Sequence, residues 1–204
     1  MSVCLLLIRH GETLWNRERR FQGFADVPLS ERGEEQARAL GTTLERVPLS
    51  GVYCSDLRRA IETAERIAEP HRISVQPDPR LREMNQGSLE GKGLQDLVRE
   101  HPGLLERWMA DPADIPMPGG ESLRSAQSRA WEAILEIIEK HRDGTAAVVG
   151  HNLCLITVIC KAIGLDLVHF RSLRIENGSI SEILFTGQGP VLARINDIKH
   201  LAGR

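Results

Sequence analysis

Aromatic side chains are scarce in this chain: three Trp, one Tyr and four Phe in 204 residues. So few rings leave little for bases to stack on. With a formal net charge of −2, there is no electrostatic case for nucleic acid or an anionic membrane as a partner. Long apolar runs are also missing. The longest, Val3–Ile8 and Thr145–Gly150, fall far short of the roughly 20 residues that cross a bilayer. The opening residues carry no basic segment before the first apolar run, unlike a signal peptide, so a cytoplasmic location is expected. Cysteine is limited to Cys4, Cys54, Cys154 and Cys160, with no C-x-x-C pair. All four lie in or beside apolar stretches and read as small buried hydrophobes, not as disulfides or metal ligands. No H-E-x-x-H or comparable cluster occurs, so no metal site is expected. Repeats, linkers and low-complexity segments are absent too, and the length suits one domain over residues 1–204.

What is present is an alternation of short β-rich runs and longer helical ones. Val3–Ile8 is continuously apolar, as in a strand buried on both faces. Ser30 reads as the N-cap of a helix over Glu31–Leu44 with Ala37, Leu40 and Leu44 inward. A second strand spans Gly51–Cys54, with Ser55 and Asp56 opening a helix that carries Ala60, Ile61, Ala64 and Ile67 at helical spacing and stops at Pro70. Ile73–Gln76 is a third strand. Glycines and prolines then punctuate about 85–120, a cap-like excursion with short helices at Leu94–Glu100 and Gly103–Ala110. A long helix runs from Ser122 to His141. Ala146–Val149 is a fourth strand, Leu153–Ile163 the helix after it, and Ile180–Ile195 a hairpin. The pattern predicts an α/β fold: a three-layer α/β/α sandwich whose central sheet is mainly parallel, with an antiparallel edge strand. That edge offers a surface for a homodimer.

Ligands of such sheets bind beyond the carboxyl ends of the strands. There the chain places Arg9-His10-Gly11-Glu12-Thr13 after strand 1 and Ser55-Asp56-Leu57-Arg58-Arg59 after strand 2. Arg82-Glu83 follow strand 3, and Gly150-His151-Asn152 follow strand 4. Singly, each His or Arg has an ordinary structural explanation. Together they put two histidines, several arginines and a carboxylate on one edge. The arginines in the first helical turn oppose the helix dipole, a mismatch that a bound anion relieves. This set suits phosphoryl transfer, in which positioning and charge stabilisation do most of the work. Arginine forks grip phosphate oxygens, a neutral imidazole attacks phosphorus, and a carboxylic acid protonates the leaving oxygen.

The segment Leu7-Ile8-Arg9-His10-Gly11-Glu12-Thr13 with Trp15-Asn16 resembles the signature of the histidine phosphatase (phosphoglycerate mutase-like) superfamily. Phe21-Gln22-Gly23, Pro28-Leu29-Ser30, Ser55-Asp56-Leu57-Arg58-Arg59-Ala60, Leu81-Arg82-Glu83, Pro118-Gly119-Gly120-Glu121-Ser122 and Val149-Gly150-His151-Asn152 extend the likeness, in order, along nearly the whole chain. The resemblance implies His10 as nucleophile and Glu83 as proton donor. It implies Arg9, Arg58 and a protonated His151 around the phosphoryl group, and Asn16 with the backbone near Gln22 and Gly23 on its oxygens. Gly11 would let the chain pass close to the phosphate, and Thr13 and Asn152 are further binding candidates. No cofactor and no metal are implied. Arg59 and Asp56 are read as capping or surface groups and Glu12 as structural. Trp108, Met109, Met117 and Phe24 are read as core, with walling the substrate side as the alternative.

Attack by water on phosphohistidine makes a phosphatase; attack by a substrate hydroxyl makes a mutase. The family's cofactor-dependent mutases carry a longer, basic insertion after the acid block. Here Asn85–Gly120 holds only Lys92, Arg99 and Arg107 as cations, which favours a phosphatase for a small phosphomonoester. A cofactor-dependent phosphoglycerate mutase and a non-catalytic phosphate-binding protein are the alternatives.

Overall fold

The computed structural model describes residues 2–202. In chain order the elements are β1 (Val3–Arg9), α1 (Leu14–Arg17), α2 (Glu31–Leu44), β2 (Leu49–Cys54), α3 (Arg58–Ala68), β3 (Val75–Pro77), α4 (Leu94–Glu100), α5 (Leu104–Ala110), α6 (Leu123–Lys140), β4 (Thr145–Gly150), α7 (Asn152–Ile163), β5 (Ile180–Thr186) and β6 (Gly189–Asp197). The sheet order is β3-β2-β4-β1-β5-β6. β1 runs parallel to β4, and β2 parallel to β4 and β3, while β5 and β6 are antiparallel. The sheet is thus mainly parallel, with the β5–β6 hairpin forming the antiparallel edge that the sequence predicted.

Alternate residues of β1 go to opposite faces, and both faces are covered. Leu5 and Leu7 join a core with α6 and α7, including Ala130, Ile134, Leu155 and Ile159. Leu6 and Ile8 join a second core with α2 and α3, including Leu40, Ala64 and Ile67. That is why β1 reads as an unbroken apolar run. Cys54, Cys154 and Cys160 are buried, and burial raises their thiols. Cys4 is only partly buried, with its Sγ 3.7 Å from Glu182. No helix among the described residues is long and apolar enough to cross a membrane.

Two boundaries differ from the sequence reading in ways that matter. Helix α3 begins at Arg58, behind Leu57, which makes no side-chain cap. Asp56 does not cap it; Asp56 takes a two-pronged ion pair from Arg82. The carboxylate of Asp26, from another loop, accepts the Arg58 amide at 2.7 Å instead. Helix α7 likewise starts behind His151 without a side-chain cap, and Glu83 supplies the carboxylate from outside. Both helices point their positive ends at the carboxyl edge of the sheet, and each is met by a carboxylate from another loop.

Candidate active site

At that edge lies a cavity of about 310 Å³ lined by Arg9, His10, Asn16, Gln22, Gly23, Arg59, Glu83 and Asn152 on the side of the strand ends. Arg20, Phe21, Gln86, Trp108 and Leu153 complete its walls. A larger cleft of about 600 Å³ lies behind Glu12 and Asn177, between α2 and the C-terminal residues, and carries no histidine.

His10 sits at the end of β1, 3% exposed. Its Nδ1 lies 2.6 Å from the Gly11 carbonyl. A carbonyl only accepts, so Nδ1 carries the proton and Nε2 keeps its lone pair. Burial, then the charges of Arg59 and Arg9, holds the His10 imidazole well below its ordinary value, so it is neutral at physiological pH. His151 stands behind it, fully buried, with ring centroids 5.0 Å apart. The Arg59 Nε–H donates to His151 Nδ1 at 3.2 Å. An acceptor at Nδ1 fixes the proton on Nε2, and burial and Arg59 keep this ring neutral as well. The resemblance expects a protonated His151 with the phosphoryl group bound; burial and Arg59 disfavour that charge before an anion enters.

The arginine at the cavity is Arg59, not Arg58. Arg58 is exposed (side chain 62%) and pairs with Glu62 one turn along α3. Arg59 is fully buried. It donates to the carbonyls of Ala25 and Gly23 as well as to His151. Burial pulls Arg59 down to about 10, which leaves it charged at neutral pH. Successive helical residues point about 100° apart. On α3 the inward stripe holds Arg59, Ala60, Thr63, Ala64 and Ile67, and Arg58 falls outside it. Arg9 donates to the Ile175 carbonyl, while its Nε is buried with no partner; His151 Nε2 and Trp108 Nε1 are in the same condition. Buried unpaired donors cost about 1–3 kcal/mol each, and an oxyanion with several acceptor oxygens is the ligand that satisfies such a group.

Glu83 projects to the start of α7. Its carboxylate accepts from the amides of Met84 (2.8 Å), Cys154 (3.0 Å) and Leu153 (3.2 Å). Asn16 engages its Oδ1 with the Thr13 amide and Asn177, leaving Nδ2 as the donor for the cavity. Gln22 is held by the Thr13 hydroxyl at 3.0 Å. Thr13 itself is buried away from the cavity and caps α1. Gly11 serves a different purpose from the one expected: a Cβ there would collide with the Gly33 carbonyl of α2, and its amide donates to Thr63. Gly23 has φ +52°, a left-handed turn packed against Glu90 and Gln86.

Asn177 escaped the sequence reading. Its Nδ2 reaches the carbonyls of His10 and Gly11 and Asn16 Oδ1. It lies in a loop with no periodicity, so only the fold reveals it. Trp108 walls the cavity, the alternative considered for it. Met117 is core, and Met109 is exposed. Phe24 packs against the guanidinium groups of both Arg82 and Arg129. Glu12 accepts from Ser30, which fits its structural reading. No group of three or more His, Cys, Asp or Glu among the described residues is arranged to hold a metal ion.

Comparison with known proteins adds an independent line. The family model for the histidine phosphatase superfamily, branch 1, matches residues 5–198. Phosphoserine phosphatase 1 of Hydrogenobacter thermophilus is 34% identical over 199 residues, covering 98% of this chain and 94% of that protein. The Probable phosphoglycerate mutase GpmB of Salmonella choleraesuis is 34% identical over 200 residues, covering 96% and 93%. The solved structure of Bacillus stearothermophilus YhfR superposes with a TM-score of 0.91 at 34% identity, covering 98% of this chain and 99% of that one.

Proposed function

The chain belongs to the histidine phosphatase superfamily as a phosphoric monoester hydrolase, and on that premise we propose that it cleaves a small phosphomonoester through a phosphohistidine at Nε2 of His10, without a metal ion. The observation that carries this reading is the tautomer of His10. Its Nδ1–H is spent on Gly11, and its neutral ring stands in a cavity beside Arg9 and Arg59. In the first step the Nε2 lone pair forms a bond to phosphorus as the bond to the ester oxygen breaks. Glu83 gives that oxygen its proton, releasing an alcohol. In the second, Glu83 takes a proton from water as the water oxygen bonds phosphorus, and the Nε2–P electron pair returns to the ring. Arg9, Arg59, Asn16 and His151 Nε2–H supply the donors that would surround the phosphoryl oxygens, in place of the charge a metal would bring.

Similarity to GpmB favours a second reading, phosphoglycerate interconversion. The basic residues of the 85–120 stretch speak for hydrolysis. Lys92 pairs with Glu100, Arg99 with Asp96, and Arg107 turns back to the Gly103 carbonyl; none lines the cavity. Among the described residues, Arg20 is the one cation there beyond Arg9 and Arg59. The test is phosphate release, with chelator present, from phosphoserine, sugar phosphates, 3-phosphoglycerate and 2,3-bisphosphoglycerate, with interconversion scored in parallel. Release accompanied by an acid-labile phosphoprotein that is lost in His10→Ala is expected. Interconversion without release would replace this reading with the mutase, and release that stops with chelator would overturn metal independence.

A further inference from the structure

The segment carrying Glu83 is held by a second arginine that never reaches the cavity. Arg129, on α6, is largely buried, with its side chain 18% exposed. Its Nε and one terminal nitrogen grip the two carboxylate oxygens of Glu121, both at 2.8 Å. The remaining donors go to main-chain carbonyls: Arg80 at 2.7 Å, Arg82 at 2.8 Å and Glu83 at 2.7 Å. All five N–H groups of the guanidinium are thereby used. Glu121 continues the clamp, because its Oε2 also accepts the Asn85 amide at 2.8 Å and its own amide donates to the Asn85 carbonyl. Main-chain groups on both sides of Glu83, and that of Glu83 itself, are fixed by this one ion pair. Phe24 is wedged against the same device, its ring centroid 5.7 Å from the Arg129 guanidinium and 5.0 Å from that of Arg82.

We infer that Arg129, with Glu121, is the positioning residue for the proton donor. The inference rests on the role proposed above for Glu83. A buried arginine is costly to desolvate, and apolar packing would hold a loop more cheaply. Here the fork is spent entirely on Glu121 and the backbone of residues 80–83. The root of the Glu83 side chain is fixed by α6, and its carboxylate is fixed by the amides of α7. General acid catalysis needs the acid within hydrogen-bond reach of the leaving oxygen. A lysine at 129 keeps the charge but has three donors and no planar fork, so it cannot reproduce the set.

The experiment compares Arg129→Lys and Glu121→Gln with the unmodified protein on two substrates. Phosphoserine has a leaving alkoxide that needs a proton, and p-nitrophenyl phosphate has a leaving group that does not. Misplacing the acid by about 1 Å should lower kcat for phosphoserine about 100-fold, with a loss below about fivefold on the aryl ester. Glu121→Gln, which keeps the shape and one acceptor oxygen, should move in the same direction by a smaller factor, and it carries the test if Arg129→Lys does not fold. Equal losses on both substrates, or full activity on phosphoserine, would overturn the inference. An unmodified protein that releases phosphate from neither these two esters nor any other ester of the panel above would overturn the phosphatase reading itself.

Discussion

Replacing Arg59 by methionine separates the two neighbouring arginines of α3. The methionine keeps most of the buried volume and removes the charge. Three interactions disappear: the donations to His151 Nδ1 and to the carbonyls of Gly23 and Ala25. If Arg59 also faces the phosphoryl group, losing one such donor should cost about 10²–10³ in kcat, or roughly 3–4 kcal/mol of transition-state stabilisation. The Ala25 carbonyl keeps the Val27 amide, but the Gly23 carbonyl and His151 Nδ1 lose their donor, which should cost on the order of 2–4 kcal/mol of stability, a fall in melting temperature of roughly 5–15 °C. Arg59 is also the largest charge effect on both site histidines after burial, so its loss should raise their proton affinity and move the acid limb of the rate profile upward. Arg58→Met is the control. Arg58 is exposed and, among the described residues, pairs with Glu62 and donates its amide to Asp26, so turnover should stay within about twofold. The assay is steady-state phosphate release across pH, with orthophosphate binding by calorimetry. The reasoning fails if Arg58→Met loses more activity than Arg59→Met, or if Arg59→Met keeps more than about a tenth of it.

Other consequences can be read from the same site. His10 and His151 are held neutral in the fold, well below 6.5. The unfolded chain binds protons at these positions below about pH 6.5 and the folded one does not. Stability should therefore be full above about pH 7 and decline as pH falls through 6.5 toward the depressed folded values; thermal melts should show a shallower decline in His10→Asn/His151→Asn, and an unchanged slope would refute the assignment. Asn177→Leu should lower kcat/KM about 10- to 100-fold, because His10, Gly11 and Asn16 lose their common tie; unaltered kinetics would remove Asn177 from the site. Gly11→Ala should destabilise by about 1–3 kcal/mol, since the Gly33 carbonyl must move, and a denaturant midpoint equal to the parent's would contradict that packing.

The layering was legible because it is written in periodicity. β1 is apolar from Val3 to Ile8 since both faces are covered, and the stripes of α2, α6 and α7 match the faces they bury. The loops that form the site were legible from strand-end position. What escaped was direction. Arg58 and Arg59 are adjacent, and which one turns inward depends on how α3 lies on the sheet. The stripe through Ala60, Ala64 and Ile67 held that information, since Arg59 sits one turn before Thr63 on the same face. Asn177 and the Arg129–Glu121 clamp were invisible for another reason: each joins segments tens of residues apart and leaves no local pattern. The capping of α3 and α7 by Asp26 and Glu83 has the same origin, a tertiary contact replacing a local one.

The sheet order also governs how the protein can be made. β1 leaves the ribosome well before its partners, β4 and β5. At about 5–20 residues per second, the ~140 residues that separate β1 from β4 delay pairing by roughly 7–30 s. For that interval a short, β-prone segment, apolar from Val3 to Ile8, has no native neighbour, which makes it the natural target for a chaperone on the nascent chain and the first place for misassembly. A transcript truncated before β4 would yield a chain whose His10 follows an unpaired strand.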